Sequence, residues 1–154
     1  MTGYITYLER APDDRLLALR TIWQGLPRTG QLPAYDAATL AHFPGMADHA
    51  SLIEVHREGA RRRYFVREDR AQVVAAVGID SSGTYLDAPS DTPEYQTILQ
   101  SDYDGIVTSR QPRIYAEEHH LDNRMRRIVG IQLPFAGDGE TVDLILEFVF
   151  RLED

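Results

Sequence analysis

The spacing of apolar residues predicts helices in the first third of the chain. Leu16, Leu19 and Trp23 follow a 3-4 spacing, which places them on one face of a helix over about residues 12–25. A second, shorter helix is predicted over about residues 36–42, where an aspartate can cap its start and a Pro-Gly pair follows it. The chain therefore opens with a helical region.

From residue 51 the apolar positions alternate as they do in strands. Residues 51–57 and 62–67 are predicted to form two strands joined by a Glu-Gly turn. A short alanine-rich helix is expected over residues 70–77, ending at Gly78. A longer helix is predicted over about residues 92–110, with an apolar face of tyrosine, isoleucine and leucine.

The last third of the chain has the pattern of strands. Strands are predicted over residues 113–119, 124–135 and 141–152, the last of which shows the clearest alternation. The Gly-Asp-Gly sequence at residues 137–139 is typical of a hairpin turn. In the final strand we assign the even-numbered apolar residues to one face and the polar residues to the other.

This order of elements predicts an α+β fold. Two strands, then helices, then three strands give a five-stranded antiparallel sheet with helices on one face. Residues 1–50 are assigned to an N-terminal helical extension and residues 51–154 to the sheet domain. Strands and helices do not alternate along the chain, so the sequence does not predict a doubly wound parallel sheet.

Composition narrows the chemistry. The 154 residues contain no cysteine and no lysine, since all 16 basic residues are arginine. Catalysis by a thiolate, iron–sulfur ligation and Schiff-base chemistry are therefore excluded. A net charge of −8 disfavours nonspecific binding to nucleic acid. Neither a signal peptide nor a membrane-spanning stretch is recognisable, so we expect a cytoplasmic protein.

Several short motifs, taken in order, resemble those of a known family. They are Ile22-Trp23, Gly25-Leu26-Pro27, the stretch Gly78-Ile79-Asp80-Ser81-Ser82-Gly83-Thr84-Tyr85-Leu86, Pro112, and Leu133-Pro134-Phe135. Residues 51–152 resemble a PAS domain. The closer resemblance is to a PAS-like family found mainly in alphaproteobacteria, often as single-domain proteins with a tryptophan-bearing N-terminal helix.

The resemblance implies a bacterial sensory or protein-interaction domain with a cavity between the sheet and the long helix. We expect the cavity to be lined by Tyr64, Tyr95, Leu99, Tyr103, Tyr115, Val129, Ile131 and Phe148. PAS domains bind haem, flavin, small metabolites or nothing. A covalent flavin adduct needs a cysteine, and oxygen-sensing haem PAS domains place a histidine on the long helix, where this chain has none. The ligand itself stays open.

Two clusters of charged residues could be binding sites, but we interpret both as surface features of the fold. Glu117-Glu118-His119-His120, with Asp122 close behind, has the residue types of a metal site. Neighbouring residues of a strand point to opposite faces, so we interpret it as a polar strand end and disfavour a metal.

A basic hairpin is the second cluster, and its arginines could recognise an anion or an acidic partner. We interpret it instead as a solvated strand face that pairs with the surplus of acidic residues. Its members are Arg57, Arg61, Arg62, Arg63 and Arg67.

The apolar stripe of the first helix predicts an assembly. Leu16, Leu19 and Trp23 could pair with the same helix of a second chain, which predicts a homodimer. The alternative is that this stripe covers the sheet of its own chain.

For function we expect a non-enzymatic sensory domain that binds a small ligand, a protein partner, or both. A ligand-free adaptor or dimerisation module and a small cofactor-free enzyme are the alternatives.

Overall fold

The computed structural model describes residues 2–7, 13–90, 93–121 and 124–152. These residues form seven strands and three α-helices, with two short 3₁₀ turns at Thr39–His42 and Ala47–His49. In chain order the elements are β1 (Thr2–Tyr7), α1 (Asp14–Gly25), β2 (Ala50–Glu58), β3 (Arg61–Asp69), α2 (Ala71–Val77), β4 (Thr84–Tyr85), α3 (Pro93–Ser109), β5 (Arg113–Leu121), β6 (Arg124–Phe135) and β7 (Leu144–Arg151).

The strands form one antiparallel sheet in the order β1-β5-β6-β7-β2-β3-β4. The predicted α+β class and antiparallel sheet are confirmed, but the predicted count of five strands is wrong. The two additional strands lie at the sheet edges. β1 has six residues and pairs only with the distant β5, and β4 has two residues. Two residues are too few to show the alternation of a strand, and the first element predicted from the sequence begins at residue 12, so both edge strands were missed.

Helices cover both faces of the sheet, which corrects the prediction of one covered face. On one face, Phe43 packs against Phe148 of β7 with ring centroids 5.0 Å apart, and Arg15 of α1 lies over Phe150. On the other face, Val73 of α2 packs against Val149 of β7. Since successive strand residues point to opposite faces, β7 is buried on both sides from Leu144 to Phe150.

The N-terminal region belongs to the same sheet. We assigned residues 1–50 to a helical extension, yet β1 pairs with β5 from Thr2↔His120 to Tyr7↔Tyr115. Helix α1 begins after Asp13, whose side chain accepts a hydrogen bond from the Arg15 backbone N–H at 2.9 Å. This region therefore supplies an edge strand and one covering layer of the fold.

The apolar stripe of α1, which we predicted to form a dimer contact, packs against its own chain. Leu16 and Leu19 are fully buried, and Trp23 is 5% exposed. The indole Nε1–H of Trp23 donates to the Pro134 carbonyl of β6 at 2.9 Å. These three residues therefore pack within their own chain, which is the alternative that the sequence left open. None of the described helices is long and apolar enough to cross a membrane.

Candidate functional site

A cavity of about 390 Å³ lies between the sheet and helices α2 and α3. Its position agrees with the expected one, between the sheet and the long helix. Five of the eight residues predicted to line it do so, namely Tyr64, Tyr95, Leu99, Tyr103 and Tyr115. The helical spacing of α3 brings Tyr95, Leu99 and Tyr103 to the face that meets the sheet.

Val129, Ile131 and Phe148 do not line the cavity, which corrects their assignment to it. Ile131 pairs directly with Phe148 across β6 and β7, so the two side chains share one face of the sheet. Phe148 packs against Phe43, which places that face under the N-terminal layer. The cavity instead meets the alternate strand residues, including Gln132 and Glu147.

A row of directly paired polar residues crosses five strands on the cavity face. The residues of this polar row, from β3 through β2, β7 and β6 to β5, are Asp69, Ser51, Glu147, Gln132 and Arg113. Ser51 Oγ donates to Asp69 Oδ1 at 2.6 Å, and Gln132 Nε2 donates to Glu147 Oε1 at 2.8 Å. Hydrogen bonds thus join two of the four neighbouring pairs of this row in a largely apolar wall.

Gln132 joins the polar row to helix α3. Its Nε2 also donates to Asp102 Oδ2 at 2.6 Å, so both N–H bonds of the amide are directed at carboxyl groups. This contact fixes which way the amide faces. Two acceptor atoms, Asp102 Oδ1 and Gln132 Oε1, are then buried with no hydrogen-bond partner in the described part of the chain.

Buried acidic groups in the cavity have displaced pKa values. Burial raises the pKa of Asp102 to about 6, opposed by the Gln132 hydrogen bond and by the charge of Arg113. Burial likewise raises the pKa of Glu147 to about 8, and nearby Asp102, Glu117 and Asp69 add to the effect. Glu147 is therefore mostly protonated at neutral pH, whereas Asp102 is mostly ionised.

Two tyrosines of the cavity donate hydrogen bonds to two further acidic residues. The Tyr95 hydroxyl donates to Glu117 Oε1, and the Tyr64 hydroxyl donates to Asp104 Oδ1 at 2.5 Å. Burial raises the pKa of Tyr95, Tyr103 and Tyr115 well above the ordinary value, so all three remain neutral.

Gly130 makes room for one of the tyrosine rings. It pairs directly with Tyr115, and a Cβ at Gly130 would lie 2.5 Å from the Tyr115 Cζ and hydroxyl. The ring therefore lies flat against the sheet only because β6 has no side chain at this point.

Three residues of the site were not identified from the sequence: Asp102, Gln132 and Glu147. Each nevertheless interrupts an apolar pattern. Asp102 falls on the apolar stripe of α3, and Glu147 is the one charged residue between Leu144 and Phe150. Buried polar residues of this kind are informative because their burial is unfavourable unless they have partners.

The basic hairpin has partners within the chain. Arg61 and Arg63 bind Asp87, and Arg67 binds Glu54. Arg62 lies 3.6 Å from Asp104, and Arg57 donates to the Val142 carbonyl. These contacts agree with a solvated strand face that pairs with nearby acids.

The sequence cluster at residues 117–122 is divided by the fold. Glu117 is buried at the cavity, and Glu118 is exposed. Asp122 and the side chains of His119 and His120 lie outside the described part of the molecule. Among the side chains that the structure describes, no three acidic or histidine residues are grouped as metal ligands.

Comparisons with protein-family models, with curated proteins and with solved structures find no match to this chain.

Proposed function

We propose that the chain is a PAS-like sensory domain that binds a small organic molecule in the cavity and signals through association with a protein partner. The observation that carries the proposal is the pair of buried, unpartnered acceptors, Asp102 Oδ1 and Gln132 Oε1, at a cavity of about 390 Å³. Unsatisfied buried acceptors are unfavourable, and a ligand that donates hydrogen bonds would satisfy them. The cavity volume is within the usual range for small-molecule sites.

The location of the cavity supports the proposal independently. It lies between the sheet and the long helix α3, where the PAS resemblance places a ligand. Its wall is mostly apolar with a few convergent polar groups, which is the usual composition of a ligand pocket. A ligand-free adaptor gives no reason for polar groups at the centre of the sheet.

Native mass spectrometry of the full chain, purified without added ligand, tests this function. A retained small molecule, lost from a variant in which Leu99→Trp fills the cavity, is the expected result. Adding the extracted molecule back should raise the unfolding free energy by about 2.7 kcal/mol at a hundredfold excess over its Kd. If no molecule is retained and none from a broad metabolite library shifts the thermal midpoint, the adaptor is the better interpretation.

A second candidate function, acid–base catalysis, is favoured by one observation. Asp102 and Glu147 lie on either side of Gln132 with pKa values of about 6 and about 8. Neighbouring groups whose pKa values differ can act as base and acid at neutral pH. Incubating the retained molecule with the protein and following it by NMR separates the two functions, since a receptor leaves the molecule unchanged.

Association is the remaining part of the proposal. We propose output through a homodimer or another protein. Two-fold dimers are the commonest closed assembly. The interface must lie outside Leu16, Leu19 and Trp23, because these are buried. Sedimentation of the full chain over a range of concentrations tests this, and a monomer at all of them contradicts the homodimer.

A further inference from the structure

We infer that the ligand of the cavity is a small organic cation: an ammonium or amidinium group on an apolar body. This inference rests on the proposed ligand-binding function and narrows it to one chemical class. Charge, hydrogen-bonding capacity and aromatic content of the cavity wall each point to it.

The charge of the wall has one sign. Five carboxyl groups line the cavity, and among its described lining residues there is no arginine or histidine. The carboxyl groups belong to Asp69, Asp80, Asp102, Glu117 and Glu147. A cation entering this space meets carboxyl groups on several sides and can hold them in their ionised forms, whereas an anion meets the same groups and no guanidinium in the lining.

At the junction of Gln132 with Asp102, two acceptor atoms have no hydrogen-bond donor in the described part of the chain. Gln132 uses both of its amide N–H bonds on Asp102 and Glu147. The remaining atoms of that junction, Asp102 Oδ1 and Gln132 Oε1, can accept but have no donor, although the two residues are 4% and 1% exposed. An ammonium group offers several donors and no acceptor, so it complements this junction.

Aromatic rings supply the third feature. Five tyrosines line the cavity, and Tyr103 and Tyr64 pack with ring centroids 5.3 Å apart. Ring faces attract a desolvated cation, and this attraction adds to that of the carboxylates. The same rings pack well against an apolar body. Ile53, Val73 and Val149 extend the apolar part of the wall.

Titratable groups of three neighbouring elements act on Glu147, namely Asp102, Tyr95 and Tyr103 of α3, Asp69 of β3, and Tyr115 and Glu117 of β5. None of these groups is a cation, and the charge of Arg113 of β5 acts on Asp102. Its guanidinium lies against Gly105 of α3, and Arg113 does not line the cavity. A bound cation would therefore favour the ionised form of Glu147, and its affinity should rise as that group loses its proton.

The test uses three probes that share a phenylethyl body and differ in charge. They are 2-phenylethylamine as the cation, 2-phenylethanol as the neutral analogue and 3-phenylpropionate as the anion. Isothermal titration of the full chain should show binding of the amine at least about tenfold tighter than that of the alcohol, and no binding of the carboxylate. The affinity for the amine should rise between about pH 6 and pH 8, where the amine itself stays protonated.

Two variants assign the effect to the cavity. Glu147→Gln keeps the shape and the hydrogen bond to Gln132 but removes the charge, so the amine should bind about tenfold more weakly. Glu118→Gln removes the same charge from an exposed position on β5 and should leave the affinity unchanged. Circular dichroism of both variants establishes that a loss of binding is not a loss of fold.

The outcomes separate this inference from the function on which it rests. Equal or tighter binding of the alcohol or the carboxylate overturns the cation inference and leaves the small-ligand function in place. An amine affinity that is independent of pH, or equal in Glu147→Gln and the wild type, also overturns it. If no probe binds, the cation inference is wrong. The small-ligand function fails as well only if native mass spectrometry and the metabolite library also show nothing.

Discussion

Glu147 is the residue of the proposed site whose burial is most unfavourable for the stability of the fold. It lies at the centre of β7, where Ile145, Leu146 and Phe148 are buried around it. Burial of a carboxyl group in such surroundings disfavours its charged form. A strand that served packing alone would be more stable with an uncharged residue here. Residues with strongly perturbed pKa values in a cavity are candidates for function for this reason.

The first prediction concerns Glu147→Gln and pH. The pKa of Glu147 is raised from 4.5 in the unfolded chain to about 8 in the folded protein. Its unfavourable contribution is therefore absent below about pH 4.5, grows as the pH rises, and is complete above about pH 8. The variant should be more stable than the wild type at pH 8, by up to about 5 kcal/mol, and similar to it at pH 5. Urea unfolding at the two pH values measures this.

The matched control for this prediction is Glu118→Gln. Glu118 is exposed on β5, and its carboxylate lies 3.4 Å from the Arg127 guanidinium at the surface. Exposed pairs of this kind contribute only about 0–1 kcal/mol, so the control should show a small and nearly pH-independent change. A Glu147→Gln variant with the same small change at both pH values would show that Glu147 titrates normally.

Gly130→Ala is the second residue-scale prediction. A Cβ at Gly130 would lie 2.5 Å from the Tyr115 ring, so the ring must move toward the cavity. Overpacking of this kind destabilises by about 1–3 kcal/mol, and any ligand in the cavity should bind more weakly. Gly25→Ala is the control, because Gly25 is exposed at the end of α1 with no atom within 4 Å of its added methyl group. Equal unfolding midpoints for the two variants would contradict the contact.

At the scale of elements, β7 shows why the sequence predicted a sheet covered on one face, whereas the structure shows a sheet covered on both faces. Its even-numbered residues are all apolar, which suggests a single buried face. Ile145 and Val149 lie on the opposite face and are also buried, and Val149 packs there against α2. A strand buried on both faces is a nearly continuous apolar run, and its pattern cannot show which element lies on which side. Val129, Ile131 and Phe148 were assigned to the cavity for this reason.

Helix α1 allows a paired test of whether its stripe is core or interface. Leu19 is fully buried in the chain, whereas Leu17, two residues earlier, is 40% exposed. Leu19→Ala should reduce the unfolding free energy by about 2–5 kcal/mol, and Leu17→Ala should change it by about 0.5 kcal/mol or less. Chemical denaturation at two protein concentrations measures both. A loss for Leu19→Ala that disappears on dilution would instead place the residue at an interface between chains.

For the whole molecule, local patterns predicted the elements but not their arrangement. The spacing of apolar residues along the chain indicated α1, β2, β3, α2, α3 and the last three strands close to their observed bounds. The polar row could not be predicted, because Ser51, Gln132 and Glu147 are up to 96 positions apart and meet only through the register of three strands. Register depends on turns and on long-range pairing. Four of the five tyrosines that line the cavity were predicted, because the resemblance implied a cavity between the sheet and the long helix.

The last prediction concerns the N-terminal layer as a whole. A chain that starts at residue 46 lacks β1, α1 and Phe43, which together pair with β5 and cover β6 and β7. Its removal exposes Phe148, Phe150 and Ile131, all of which are buried in the full chain. An exposed apolar face of this size favours aggregation. We expect the shortened chain to lose cooperative thermal unfolding and to form heterogeneous aggregates in sedimentation, whereas the full chain gives one sharp transition. A shortened chain that unfolds cooperatively as a monomer would instead show that residues 51–154 fold as an independent domain and that the first 50 residues are an extension.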